Sequence, residues 1–166
     1  QQKILKRLLA TPLSIRSFFA TLILAYLLLS LVQAAIILAF GLIVFHAHVY
    51  GSYLWMFIIV LFANIIFLNL GFIVAGFSKT VEAANGFGNV ITMPMMFFSG
   101  VFFPTTSLPS VLSATVKYLP LTPMLDAMRG VMLESKSLGS FPVELGILAA
   151  WVVVSSVVAV RVFRFD

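Results

Sequence analysis

Long apolar runs broken by short polar clusters set the plan of this chain. No Asp, Glu, Lys or Arg occurs between Arg16 and Lys79, nor between Glu82 and Lys117. A helix that crosses a bilayer needs about 20 predominantly apolar residues, so the first run holds two spans and the second holds one. The pattern places span one at 17–45, span two at 52–77, span three at 85–103 and a fourth span at 141–163. Span one is longer than a perpendicular crossing needs, so it tilts or keeps part of its length at the interface. His46-Ala47-His48-Val49-Tyr50-Gly51 makes a tight turn, and Tyr53 and Trp55 open span two with aromatics that favour the membrane interface. Ser78 to Ala84 forms the next loop. Gly86, Gly88 and Pro94 in span three favour close helix contact and a kink. Span four is free of charge only over 145–160 and relies on Glu144 and Arg161 reaching the headgroups.

Two segments do not fit the spanning pattern. In residues 1–16, Ile4, Leu5, Leu8 and Leu9 share one helical face while Lys3, Lys6 and Arg7 lie elsewhere, which predicts a short amphipathic helix. Thr11-Pro12 interrupts it, with Thr11 placed to cap a new helix. In 104–140, Pro109, Pro120 and Pro123 accompany Lys117, Asp126 and Arg129. Each central charge would cost about 2.5–3.5 kcal/mol in a span, so a fifth crossing is excluded. Two half-helices fit. Ser107 and Pro109 start one, with Val111, Leu112 and Val116 on its apolar side, and Thr122 with Pro123 starts the other. Asp126 then lies near the first turn, with Arg129 within pairing reach. A solvated surface loop with an ion pair is the alternative on pattern alone.

Composition narrows the class further. Hydrophobic residues make up 62% and charged residues 9% of the chain, and a mean hydropathy of +1.17 exceeds what a soluble core of this length can bury. The fold class is therefore all-α, a polytopic helical membrane protein with four transmembrane helices and an outer pair of re-entrant half-helices. The formal charge of +5 sits at span ends and in one loop, not in a basic patch, so no nucleic-acid partner is expected. Lys3, Lys6, Arg7, Arg16, Lys79, Arg161 and Arg164 fall on one side, against Lys117, Arg129 and Lys136 on the other. The richer side reads as cytoplasmic, which puts both chain ends inside and the interrupted segment outside.

The chain has no cysteine, which excludes thiol-ligated metal sites. It has no GxxxxGK[ST] phosphate loop, so it is not itself an ATPase. No ionisable residue falls at mid-membrane, where an ion-coupled carrier usually needs one, and the histidines and acids are scattered over opposite faces, so no enzyme site is expected. Gln33, Asn64, Asn69, Asn89 and Thr92 lie inside spans and either line a polar path or bond neighbouring helices. His46 and His48, without a nearby carboxylate or thiolate, read as turn residues rather than metal ligands. Phe97, Phe98, Phe102 and Phe103 either grip a lipidic substrate or anchor and pack the helices.

Phe97-Phe98-Ser99-Gly100-Val101-Phe102-Phe103-Pro104, followed by Leu119-Pro120-Leu121-Thr122-Pro123-Met124-Leu125-Asp126-Ala127-Met128-Arg129-Gly130, resembles the signature region of ABC type-2 exporter permeases. The resemblance implies one transmembrane domain over 1–166 and an outer gate containing Ser99, Gly100, Pro104, Pro120, Asp126, Arg129 and Gly130. The stretch from Ile4 to Ser14 is similar to the family's cytoplasmic coupling helix, with Ile4, Leu5, Arg7, Leu8, Leu9 and Pro12 as its contacts to the ATPase. On residue pattern alone a basic helix lying on anionic lipid is the more ordinary reading, and both uses are compatible. Two further spans are expected before Gln1, making the chain a piece of a longer protein. The implied partners are an ABC ATPase subunit, a second permease copy, identical or not, and membrane lipid. No cofactor is expected on this chain, since ATP and Mg would sit on the partner. The implied location is the plasma membrane, as in a bacterial inner membrane. A secondary carrier or channel, or a structural membrane anchor, are the rival readings.

Overall fold

The computed structural model describes residues 15–102 and 109–162. Its regular structure there is helical: α1 (Ile15–Val44), α2 (Tyr53–Phe77), α3 (Val81–Phe98), α4 (Ser110–Val116), α5 (Leu121–Glu134), a single 3-10 turn (Leu138–Ser140) and α6 (Pro142–Val162). The N-terminal stretch carrying Ile4, Leu5, Arg7, Leu8, Leu9 and Pro12 lies outside the described residues, as do Phe103, Pro104 and Ser107.

Among the described residues, three helices are long and apolar enough to cross a membrane: Thr21–Val44 within α1, α2 and α6, with mean hydropathies of 2.7, 2.7 and 2.2. Their outward side chains are large and apolar, with Ile37 73%, Ile43 73% and Val160 71% exposed. A surface of that kind is stable only in hydrocarbon. The protein is a polytopic helical membrane protein.

Helix α3, at the place of the third expected span, is not among these three and is the more polar one. This helix has 18 residues, a length of about 27 Å at 1.5 Å per residue, and it carries Glu82, Asn85, Asn89 and Pro94. It starts earlier than expected because Thr80 accepts a hydrogen bond from the Ala83 N–H at 3.1 Å, which shortens the connection after α2 to Ser78–Thr80. It also ends earlier. Gly100 takes a φ of 87°, a left-handed conformation that a helix cannot continue through, so α3 stops at Phe98.

Helix α2 is the hub, packing against α1, α3, α5 and α6. Its buried residues Met56, Ile59, Ala63 and Ile66 recur at helical spacing and form one stripe. Helix α6, which packs against α2, buries Leu148, Ser155 and Ala159 in turn. Asn69 donates from its side-chain nitrogen to Ser155 Oγ at 3.2 Å and to Ser156 Oγ at 2.8 Å. This is the interhelical use of a polar residue inside a span. Asn64 instead donates to the Val60 carbonyl of its own helix. Glu144 in the first turn of α6 and Arg161 in its last turn both oppose the helix dipole with the favourable sign.

Candidate functional site: a helix braced at one end of the bundle

Contacts from four different parts of the chain hold α5 and the corner that precedes it. Arg129 donates through Nη2 to the Gly100 carbonyl at 2.6 Å. That carbonyl lies just past the C-terminus of α3, where unsatisfied carbonyls carry partial negative charge, so the guanidinium acts as a remote C-terminal cap. Tyr50, in the α1–α2 turn, donates its N–H to the Met132 carbonyl at 3.0 Å, and the Ser135 hydroxyl donates to the Tyr50 carbonyl at 2.7 Å. Gly51 sits so close that a Cβ there would overlap the Val131 carbonyl. Gly130 is buried against Phe141, and a Cβ there would overlap its ring. Finally, Trp151 Nε1 donates to the Tyr118 carbonyl at 2.7 Å in the corner between α4 and α5.

The last contact sets the depth of that corner. From Pro142 to Trp151, α6 rises about 13 Å, so Tyr118 lies well down the helix from its N-terminal end. Helix α5, of 14 residues and about 21 Å, then returns alongside α6 until Gly130 meets Phe141 just before α6 begins. Its buried face, with Ala127 and Val131, joins Met56, Ile59 and Leu138 in the apolar cluster at this end of the bundle. Ser135 ends the helix at φ 53°, and the N–H groups of Ser135 and Lys136 both donate to the Gly130 carbonyl. Lys136 pairs with Glu134 and lies 5.9 Å from the Phe141 ring centroid.

Several expected details differ. Helix α5 begins at Leu121 after Pro120, so Thr122 does not cap it. Thr122 is 1% exposed and Ser99, at the end of α3, is fully buried, and neither hydroxyl has a hydrogen-bond partner among the described residues. Asp126 therefore lies in the second turn, and the salt bridge among the described residues is Lys136–Glu134, not Asp126–Arg129. Arg129 turns to the Gly100 carbonyl because that acceptor lies at a helix end. Burial by surrounding protein raises the Asp126 carboxyl above the ordinary carboxylate range; Arg129 and Lys117 act to lower it, and Glu144 to raise it. Asp126 is nonetheless exposed on one side of α5. Pro120 is fully buried under this packing.

The structure thus brings Ser99, Gly100, Pro120, Arg129 and Gly130 into one braced assembly and leaves Asp126 at its edge. Gly51 and Trp151, which the sequence did not single out, complete it. A groove of about 570 Å³ between α1 and α2 lies farther along the bundle and is lined in part by Tyr26, Ser30, Gln33 and Asn64. His48 stacks on Tyr50 at 6.3 Å in the turn. No three His, Cys, Asp or Glu side chains come together among the described residues.

No curated protein and no solved structure matches the chain. A protein-family model described as ABC-2 type transporter matches residues 1–133, a range that contains every brace on α5 except those to Ser135, Phe141 and Trp151. The chain therefore belongs to the ABC-2 type transporter family, as a membrane permease part of an ABC transporter.

Proposed function

We propose that this chain forms the substrate path of an ATP-driven exporter and that α4 and α5 are its outer gate. The observation that carries the gate reading is the Trp151–Tyr118 bond, which supports a segment that enters the bilayer from one side and returns. With the Lys and Arg count, that side is the outside and both chain ends are cytoplasmic. Helix α3 serves as the remaining crossing, short because it meets the re-entrant α5 below the surface. The gate is held by directional contacts as well as by the apolar face that α5 places in the core cluster, so opening would have to release both together. Among the described residues Ser99 and Thr122 each bury a hydroxyl without a partner, and a buried hydroxyl left so costs about 1–3 kcal/mol that hydration on opening would recover.

Coupling is assigned to Ile4, Leu5, Arg7, Leu8, Leu9 and Pro12, which would dock on a separate ABC ATPase subunit, with ATP and Mg bound there. Two permease copies, identical or not, would rock together as the ATPases close, in a plasma membrane of the bacterial inner type. Chemistry at the permease itself is confined to binding and passage.

The test is the double substitution Leu5→Asp and Leu8→Asp in the full transporter. ATPase stimulation and transport should be lost together while membrane insertion stays intact. Transport in liposomes without nucleotide would instead support a carrier or channel. Loss of a partner's membrane localisation without loss of transport would support an anchor.

A further inference from the structure

We infer that the groove between α1, α2 and α5 is a binding site for one acyl chain of a membrane phospholipid. The groove encloses about 640 Å³ and no charged side chain lines it. Its walls are the second half of α1 (Leu31 to Leu42), the first half of α2 (Tyr53 to Val60), and Met128 and Met132 of α5. The hollow exists because α1 presents Ala34, Ala35 and Gly41 where larger residues would fill it, and a Cβ on Gly41 would meet nothing within 4 Å.

Three features select an acyl chain as the occupant. Two of the walls belong to helices long and apolar enough to cross the bilayer, so the medium that reaches the groove is hydrocarbon. From Leu31 to Leu42, α1 rises about 16 Å, close to the roughly 15 Å depth of one leaflet's hydrocarbon. At the α1–α2 turn the groove is lined by Ala47 and Val49, and His46, His48 and Tyr50 alternate with them in the same turn, polar enough for the headgroup level. A chain entering tail-first would therefore leave its headgroup at that turn. The methionines suit this occupant, since an unbranched thioether adapts to a flexible chain. A chain in the groove would also pack directly on α5, so lipid would support the braced helix from the side opposite α6. The inference requires only that α1 and α2 cross the membrane, so its failure would leave the ATP-driven reading untouched.

The full transporter is placed in nanodiscs containing a phospholipid with a photoactivatable diazirine in one acyl chain, and labelled residues are mapped by mass spectrometry. Label should concentrate on Met128, Met132 and residues 31–42. Gly41→Leu, which grows into open space, should reduce α5 labelling about tenfold while labelling of Val153 and Val154 on α6 stays at the wild-type level. Ala34→Phe fills the same hollow from another position and should give the same pattern. Label spread evenly over all exposed helix faces, or undiminished α5 labelling in either folded variant, would overturn the site.

Discussion

Replacing Arg129 with alanine removes a bond that ties α5 to the end of α3, and its effect can be worked from the geometry. The donor is a guanidinium at 2.6 Å from a carbonyl. A hydrogen bond to a charged group contributes about 1.5–3 kcal/mol, and a cation at a helix C-terminus adds about 0.3–1 kcal/mol. Arg129 retains solvent exposure, which screens part of this, so about 2 kcal/mol is the working figure. That is roughly a 30-fold shift in the balance between docked and released α5. Because the chain has no native cysteine, Thr122→Cys supplies a single reporter at a site that is 1% exposed. In the Arg129 background the cysteine should react slowly with an impermeant thiol reagent, and in Arg129→Ala roughly 30-fold faster. Arg129→Lys should fall between, since lysine can still place a charge at the helix end but without the planar fork. Equal labelling rates in the Arg129 and Arg129→Ala proteins would refute the brace.

The other predictions concern the remaining contacts. Gly130→Ala should destabilise the protein by about 1–3 kcal/mol through overlap with Phe141, and Phe141→Leu should restore thermal stability in the double variant; failure of that rescue would show the clash is elsewhere. Asn69→Leu should lose about 0.6–1.7 kcal/mol in an unfolding titration, and much less in a background with Ser155→Ala and Ser156→Ala, because its partners are those two hydroxyls. Asp126 has a raised folded pKa, so as pH rises through the window from the ordinary aspartate value to the raised one, its ionisation lowers stability. Asp126→Asn should flatten that slope and leave insertion unchanged, which a pH series of melting curves would check.

The spans were legible because charge-free runs leave little choice: α1, α2 and α6 lie close to their expected limits. The ends of α3 were less so. Thr80 is a recognisable cap, but the run from Met95 to Phe103 reads as continuous until Gly100 is seen at positive φ. Helical spacing pointed Arg129 at Asp126, three residues away, since nothing in a sequence marks a carbonyl 29 positions earlier as the better acceptor. Gly51 and Gly130 could be recognised as residues suited to turns or close packing, yet their partners, a backbone carbonyl and a ring, come from distant segments. The buried, unpartnered hydroxyl of Thr122 went unread because a threonine before proline ordinarily signals a cap.

The central claim is that α4 and α5 close an outward path that ATP opens. Its most direct measurement is thiol labelling of Thr122→Cys from outside intact cells, with the ATPase idle and then turning over, beside Ser135→Cys and Ser78→Cys as topology markers. The account predicts that Ser135→Cys labels in both conditions, Ser78→Cys in neither, and Thr122→Cys only during turnover. Labelling of Ser78→Cys in place of Ser135→Cys, or a Thr122→Cys signal indifferent to ATP hydrolysis, would contradict it.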